Sequence, residues 1–370
     1  MLAASMSGPS APEASPPTLP GSRYLPPGGR VLVIRLSALG DVLFALETVA
    51  ALKRERPDVV VDFLVEDRFR SLLAGHPQLD RVHVYPRQRW SAIPGSLWRL
   101  RRLHFDVVLD VHGIQKSVLH VRCLRATTKV GPDAPAAREG AERAYHLAVP
   151  MPTPIPHRAD IGHRLLAAIG LSGVPAAPVL AVPTPPAELF AGLSGPRVFL
   201  HPGTSSFAAF KRWPATHFAE LARNLDERGL AVLVGFGPGE AELAAPVLAA
   251  APRARAVDGK QLGLLGLAGV MQQCDVVVAA DTGPLHLGAT MGARCVALFG
   301  PKDHLRYGPR AHGLEPHEVL FHPVPCRPCR RRTCVTPQCV LGIPVDAAVA
   351  AVLRQLDRKA ASTKTAEATR

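Results

Sequence analysis

Aromatic side chains are scarce in this chain of 370 residues: Phe, Trp and Tyr together make up 5% of it. Base-stacking platforms are hard to build from so few rings, and no nucleic-acid-binding motif is present. No apolar run reaches the roughly 18 residues that a membrane span needs, so a soluble protein is expected. A signal peptide is also missing, since the N-terminus has neither a basic start nor an apolar centre. The first 28 residues are rich in Pro, Ser, Ala and Gly, and they read as a disordered leader on a cytoplasmic protein. Seven cysteines in such a chain argue against a disulfide framework. A Walker phosphate loop, GxxxxGK[ST], is absent.

What is abundant is positive charge. The formal net charge is +13, which suits an anionic partner such as an acidic membrane or a phosphorylated glycolipid. Dispersed arginines also follow from a biased base composition, so charge alone does not choose the partner.

Along the chain, strands and helices alternate. VLVIR (31–35) is a buried strand, LSALG (36–40) a tight loop, and Asp41 to about Glu55 an amphipathic helix stopped by Pro57. Strands follow at 59–66, 80–86 and 106–113, with a short helix after the first and helical character over 97–105. Between about Pro150 and Pro186 the chain turns Pro-rich around one helix, Ala159–Ile169, which places a domain boundary near 178. The pattern then restarts with strands at 197–203, 231–236, 276–280 and 295–299 and helices at 217–229, 261–273 and 284–291. Pro344–Asp357 reads as a closing helix, with a frayed polar tail from about Lys359. The expected division is a leader (1–28), an N-terminal acceptor-binding domain (29–178), a C-terminal nucleotide-sugar-binding domain (179–350), and a helix end and tail (351–370). Both domains are α/β, with doubly wound parallel sheets facing a cleft.

Four stretches could carry chemistry. Asp41 follows the first glycine loop at a helix start, where it serves either the helix dipole or as a general base facing the cleft; spacing does not separate the two. GTSSFAAFKRWP (203–214) offers the hydroxyls and N–H groups of Thr204, Ser205 and Ser206 and the charge of Lys211. That combination suits a diphosphate, the plain alternative being a solvated polar loop. GFGPG (235–239) is a weak glycine loop interrupted by Pro238, read as a turn near the nucleotide, with a plain turn as the alternative. The sharpest cluster is Asp281, Thr282, Gly283 and His286, just past the strand at 276–280. Asp281 could accept from sugar hydroxyls, and Thr282 with the N–H groups after it could hold phosphate, although His286 alone would be a packing residue. Cys326-x2-Cys329-x4-Cys334-x4-Cys339 has the ligand number of a zinc site with a non-standard spacing, so metal binding and inert loop-stapling both stand. Arg327 and Arg330–Arg332 would offset thiolate charge there.

RLSALGDVLFALETVAALKRERPD (35–58), HPGTSSFAAFKRWP (201–214) and AADTGPLHLGATMGARCVALFGP (279–301) together resemble the telling segments of the family 9 glycosyltransferases, the lipopolysaccharide heptosyltransferases. The resemblance spans residue 30 to about 350. It implies the GT-B fold and an inverting, metal-independent, cofactor-free transfer of heptose from a nucleotide donor, ADP-heptose in the family. Asp41 aligns with the family's proposed base. Thr204, Ser205, Ser206 and Lys211 match donor-phosphate contacts, and Asp281, Thr282, Gly283 and His286 the nucleotide-sugar motif. RQRW (87–90), DVHGIQKS (110–117) and AARE (136–139) are similar to the heptosyltransferase I branch, implying acceptor contacts from Arg89, Lys116 and Arg138. Gln88 stands where that branch tends to have a second Arg, and the four-cysteine segment departs from it. The implied acceptor is the Kdo-containing, phosphorylated lipid A core, met peripherally at the cytoplasmic face of the inner membrane. Two rivals are a sugar-nucleotide epimerase of the same fold and a non-catalytic binder of anionic glycolipid.

Overall fold

The computed structural model describes residues 24–154, 157–312, 316–329, 331 and 333–368, with side chains to 361 and without that of Ser206. Residues 1–23 of the Pro-rich leader, Arg330 and Arg332 lie outside them. The folded unit begins before residue 29: Leu25 is fully buried, and the Arg56 guanidinium donates to the carbonyls of Leu25 and Pro26, both at 2.9 Å. One apolar anchor is enough to fix a stretch whose composition alone suggests disorder.

The first half runs β1 (Arg30–Ile34), α1 (Leu39–Glu55), β2 (Val60–Glu66), β3 (Arg81–Tyr85), α2 (Ile93–Arg101), β4 (His104–Asp110), α3 (Gln115–Cys123), β5 (Arg125–Pro132), β6 (Leu147–Val149) and α4 (Asp160–Ala168). The second runs β7 (Arg197–His201), α5 (Ala215–Glu227), β8 (Ala231–Phe236), α6 (Ala241–Ala250), β9 (Arg255–Asp258), α7 (Gly259–Gln272), β10 (Val276–Ala280), α8 (Gly283–Thr290), β11 (Arg294–Leu298), β12 (Glu318–Leu320) and a closing helix α9 (Val345–Ala368). Each half forms one six-stranded parallel sheet, in the orders β3-β2-β1-β4-β5-β6 and β12-β11-β10-β7-β8-β9. Counted from its own first strand, each sheet has the order 3-2-1-4-5-6. Both therefore reverse direction at a switch point, between β1 and β4 in one and between β7 and β10 in the other, and doubly wound sheets bind ligands outside the strand ends there.

The central strands are apolar on both faces because helices cover both. One apolar cluster is continuous across the halves: Val31, Val33 and Val42 of the first join Val277, Ala279 and Leu285 of the second through α1 and α8. The outer face of the first sheet is covered by α2 and α3, which bring Leu100 and Val121 onto Leu32 and Ile34. On the outer face of the second, α5 and α9 bring Phe218 and Val352 onto Val198 and Val276. No helix among the described residues is long and apolar enough to cross a membrane.

Several elements differ from the sequence reading. The helix expected over 97–105 spans Ile93–Arg101, and His104 and Phe105 already belong to β4, because Pro94 favours a helix start and Phe105 is wholly buried in the sheet. α3, β5, β6, β9 and β12 have short or weak patterns and are not apparent in the sequence. The tail expected to fray continues α9 to Ala368, since its Ala, Lys and Glu residues favour helix.

Candidate active site between the two sheets

Both switch points open towards each other, and the residues singled out in the sequence divide between them. On the N-terminal side the β1–α1 connection carries Asp41 at the third position of α1, where its Oδ2 accepts from the Ala38 N–H at 3.3 Å. Two arginines hold this carboxylate. Arg35 reaches Oδ2 at 2.6 Å and Arg158, from the segment before α4, approaches Oδ1 at 3.6 Å. Arg35 is itself buried and fixed, donating to the carbonyls of Ser37 at 3.0 Å and Val111 at 2.8 Å. Burial acts to raise the pKa of Asp41, but the charges of Arg35 and Arg158 outweigh it and hold the carboxyl well below the usual range. The same burial lowers Arg35 to about 10. Asp41 is thus ionised and screened by cations.

The β4–α3 connection completes this side. Asp110 accepts from the N–H groups of His112 at 2.9 Å and Gly113 at 3.2 Å and from the Tyr145 hydroxyl at 2.9 Å. Gly113 has φ +67°, and a Cβ there would stand 3.0 Å from Pro132. His112, whose Nδ1 accepts from the Leu36 N–H at 3.4 Å, is kept neutral by burial first and then by Arg35. Lys116 and Arg138 are exposed on either side of this loop, the Arg138 N–H donating to the Gly113 carbonyl at 2.9 Å. Arg306 of the C-terminal half feels the charges of both Arg158 and Arg138. Arg89 stands apart on the exposed β3–α2 connection, and no described contact ties it to this group.

On the C-terminal side, the β7 and β10 ends bring Lys211 and Asp281 together: Nζ lies 2.5 Å from Oδ2. The sequence reading gives Lys211 to phosphate and Asp281 to hydroxyls; here they hold each other. Thr204 is buried, its hydroxyl donating to the Ala208 carbonyl and accepting from Arg212, both at 3.3 Å. Ser205 is exposed and caps the helical turn Ser206–Lys211; the side chain of Ser206 lies outside those described. Thr282 is the N-cap of α8, with its hydroxyl turned to the Ala280 carbonyl at 3.1 Å, which leaves the first-turn N–H groups of Gly283 and Leu285 at the end of β10, Pro284 between them having none.

The two sides touch. Phe44 of α1 packs edge-on against His286 of α8 with centroids 4.9 Å apart and against His157 at 4.7 Å. A Cβ on Gly283 would stand 2.6 Å from Leu39, so the glycine is what lets α8 approach α1. His286 is buried with no hydrogen-bond partner for its Nδ1 among the described residues. Burial lowers it to about 4, against the opposing pull of Asp281.

Sequence reasoning passes over Arg35, Arg158, His112 and Glu240. Glu240 accepts from the Gly237 N–H at 2.8 Å and lies where a Cβ on Gly203 would meet it at 2.2 Å, so GFGPGE and the 203–211 loop form one wall. The signal for Glu240 was that glycine pair; Arg158, far from any motif in the sequence, had none. The four cysteines are free thiols, with Cys326 and Cys334 exposed and Cys339 buried. Among the described residues no group of three or more His, Cys, Asp or Glu side chains is arranged to hold a metal ion.

Comparison with known proteins gives this arrangement a context. Residues 96–340 match the family described as glycosyltransferase family 9 (heptosyltransferase). The chain is 31% identical over 327 residues to lipopolysaccharide heptosyltransferase 1 of Pseudomonas aeruginosa, covering 82% of this chain and 87% of that one. To the enzyme of the same name from Escherichia coli K12 it is 28% identical over 298 residues, covering 74% and 88%. Among solved structures, a family 9 glycosyl transferase from Veillonella parvula superposes with a TM-score of 0.76 at 20% identity, over 89% of this chain and 98% of that one. E. coli heptosyltransferase WaaC with ADP does so with 0.69 at 24% identity, over 89% and 98%.

Proposed function

The chain belongs to glycosyltransferase family 9, and from that premise we propose that it moves a heptose from ADP-heptose to the Kdo/heptose inner core of lipopolysaccharide, with Asp41 as general base. One observation carries the reading: an ionised carboxylate at one switch point faces, across Phe44 and His286, the strand end at the other where Lys211, Asp281 and the start of α8 meet. The acceptor hydroxyl enters on the Asp41 side, where Arg138, Lys116 and Arg306 offer charge to its phosphate and carboxylate groups. Arg89 contributes further out.

The donor diphosphate lies across the α8 N-terminus and the 203–206 loop, with its ribose against Glu240. Its arrival replaces Asp281 as the partner of Lys211, leaving the ammonium to meet the charge that grows on the departing diphosphate and the carboxylate to accept from the sugar. The acceptor oxygen attacks the anomeric carbon from the opposite face. Its proton becomes acidic as the new bond forms, so a carboxylate held ionised can take it despite low basicity. No metal and no cofactor is assigned a step. The acceptor is membrane-embedded, and contact with the inner membrane is peripheral.

The test is transfer of labelled heptose from ADP-heptose to defined Kdo-lipid A, with and without a chelator. Transfer that survives chelation and is lost in Asp41→Ala supports the reading. Isomerisation of donor without acceptor would point to an epimerase, and binding of the glycolipid without turnover to a non-catalytic role.

A further inference from the structure

We propose that the outer face of α2 and α3 is a docking surface for an anionic phospholipid bilayer. Both helices spend their apolar stripes on the sheet: Leu100 and Val121 are buried together, and the Ser96 hydroxyl donates to the Val84 carbonyl at 2.9 Å. Their opposite sides therefore face away from the protein. Three large apolar side chains stand on those sides, Trp90 at 76% exposure, Trp98 at 56% and Leu119 at 45%. Pro94, Trp98 and the C-cap Arg102 follow one another at four-residue spacing along α2, and Trp90 stands exposed in the short turn that leads into it.

Around the rings the charge is mainly positive, with one exposed carboxylate at its edge: Glu139, which accepts from the Gln115 N–H at 3.1 Å at the start of α3. Arg99, Arg101 and Arg102 on and after α2, and Lys116 and Arg122 on α3, are all exposed. The chain from 86 to 124 has only two carboxylates, Asp106 and Asp110, both in β4 between the helices. Asp110 is buried, and Asp106 accepts from the Arg30 N–H at 2.7 Å, so neither neutralises the helices' outer face. The Arg102 guanidinium lies 3.4 Å from the centroid of the Trp98 ring. That pair offers a flat apolar ring with a cation on it, which can settle at the depth of lipid headgroups, the ring towards the acyl chains and the guanidinium at phosphate.

A short helix with tryptophans on a basic face matches the interfacial mode of binding, and exposed tryptophans among unopposed arginines fit lipid phosphate better than a folded partner, whose surface carries both signs. The face also leads to the cleft. α3 starts directly after the His112–Gly113 loop, whose His112 Nδ1 accepts from the Leu36 N–H at 3.4 Å in the connection that leads to Asp41, so a bilayer held on α2 and α3 lies beside the mouth of the Asp41 side. The use of this surface to meet a membrane-embedded acceptor rests on the function proposed above; the binding itself does not.

The experiment is cosedimentation of the full chain with vesicles that contain no glycolipid: phosphatidylethanolamine mixed with phosphatidylglycerol, against phosphatidylcholine alone. Binding is expected to the anionic vesicles only, weakening with salt. The triple variant Arg99→Gln, Arg101→Gln, Arg102→Gln should bind about a hundredfold more weakly, and Trp98→Ala several-fold more weakly. Both should transfer heptose normally to a soluble, deacylated acceptor. Equal binding to both vesicle types, no binding to either, or wild-type binding by the triple variant would overturn the proposal. So would self-association through Trp98 that vesicles fail to compete. Vesicle binding with no transfer to any acceptor would instead count against the transferase reading and leave the surface standing.

Discussion

Gly40 of α1 lies so close to His286 of α8 that a Cβ built on it would stand 2.4 Å from Cδ2 of the imidazole. The contact joins the helix that carries the candidate base to the helix that carries the candidate donor site, and it exists only because position 40 has no side chain. Helix propensity argues the other way, since Ala is better than Gly inside a helix by about 1 kcal/mol.

Gly40→Ala sets these two effects against each other. The ring is buried and cannot swing clear, so overpacking of about 1–3 kcal/mol wins, and α1 is pushed off α8. An ångström or so of separation between base and donor costs roughly a hundredfold in turnover. The expected result is a loss of that size in transfer, with donor affinity within a few-fold of wild type by calorimetry. Unchanged turnover would mean that the working geometry does not need this contact.

The Lys211–Asp281 pair gives a second test. Either Lys211→Met or Asp281→Asn leaves a charge largely shielded from water without its partner, at a cost on the order of 3 kcal/mol. The double variant should recover most of that stability in urea unfolding, because neither charge remains. Activity should not recover: each single variant and the double should lose about a hundredfold or more if the ammonium meets the leaving diphosphate.

The parts of this arrangement that were legible in sequence are those written locally. Val276–Ala280 followed by Asp281, Thr282 and Gly283 spells a buried strand, a polar end and a helix start, and the structure has all three in place. The same holds for Val31–Ile34 and α1. What did not show was pairing between distant segments. Arg158 meets Asp41 from the segment before α4, which its own N–H ties to the C-terminal half through the Arg306 carbonyl at 3.0 Å. Glu47 reads as an ordinary polar position of α1, yet it is buried with Arg310 at 3.5 Å and His312 at 3.5 Å. β5 was missed because its Thr-Thr-Lys centre has no apolar alternation; pairing with β4 makes it a strand.

Buried histidines set the acid stability. His286 and His76 are each lowered by burial from an ordinary 6.5 to about 4, and His112, His120 and His201 are lowered in the same way. As pH falls below 6.5 the unfolded chain binds protons that the folded one refuses until about 4. Stability is therefore full above 6.5 and is lost progressively between 6.5 and 4, by about 3 kcal/mol for a group shifted as far as His286. Urea midpoints should fall steadily across that window. His76→Leu, which removes one such group far from the cleft, should flatten the slope while transfer is retained; an unchanged slope would show that His76 titrates normally.

Asp41 obeys the opposite sign. Its folded pKa lies below the unfolded value of about 3.9, so the stability it contributes is present at every pH above that value and is lost only as pH falls through the folded one. Asp41→Asn should therefore leave the 6.5-to-4 decline untouched and unpair the buried Arg35, lowering the whole stability curve above pH 4 by a roughly constant amount. Turnover should drop by about two to four orders of magnitude with donor affinity little changed, the pattern of a lost general base. For the wild type, kcat/KM reports the free enzyme, in which Arg35 and Arg158 hold the carboxylate ionised, so no limb from Asp41 should appear between pH 4 and 7. Arg158→Gln removes one of the two charges that depress the carboxyl, and the limb should then move upward towards the measurable range. If that variant leaves the acid side of the profile where it was, Arg158 does not tune Asp41, and the contact at 3.6 Å is structural only.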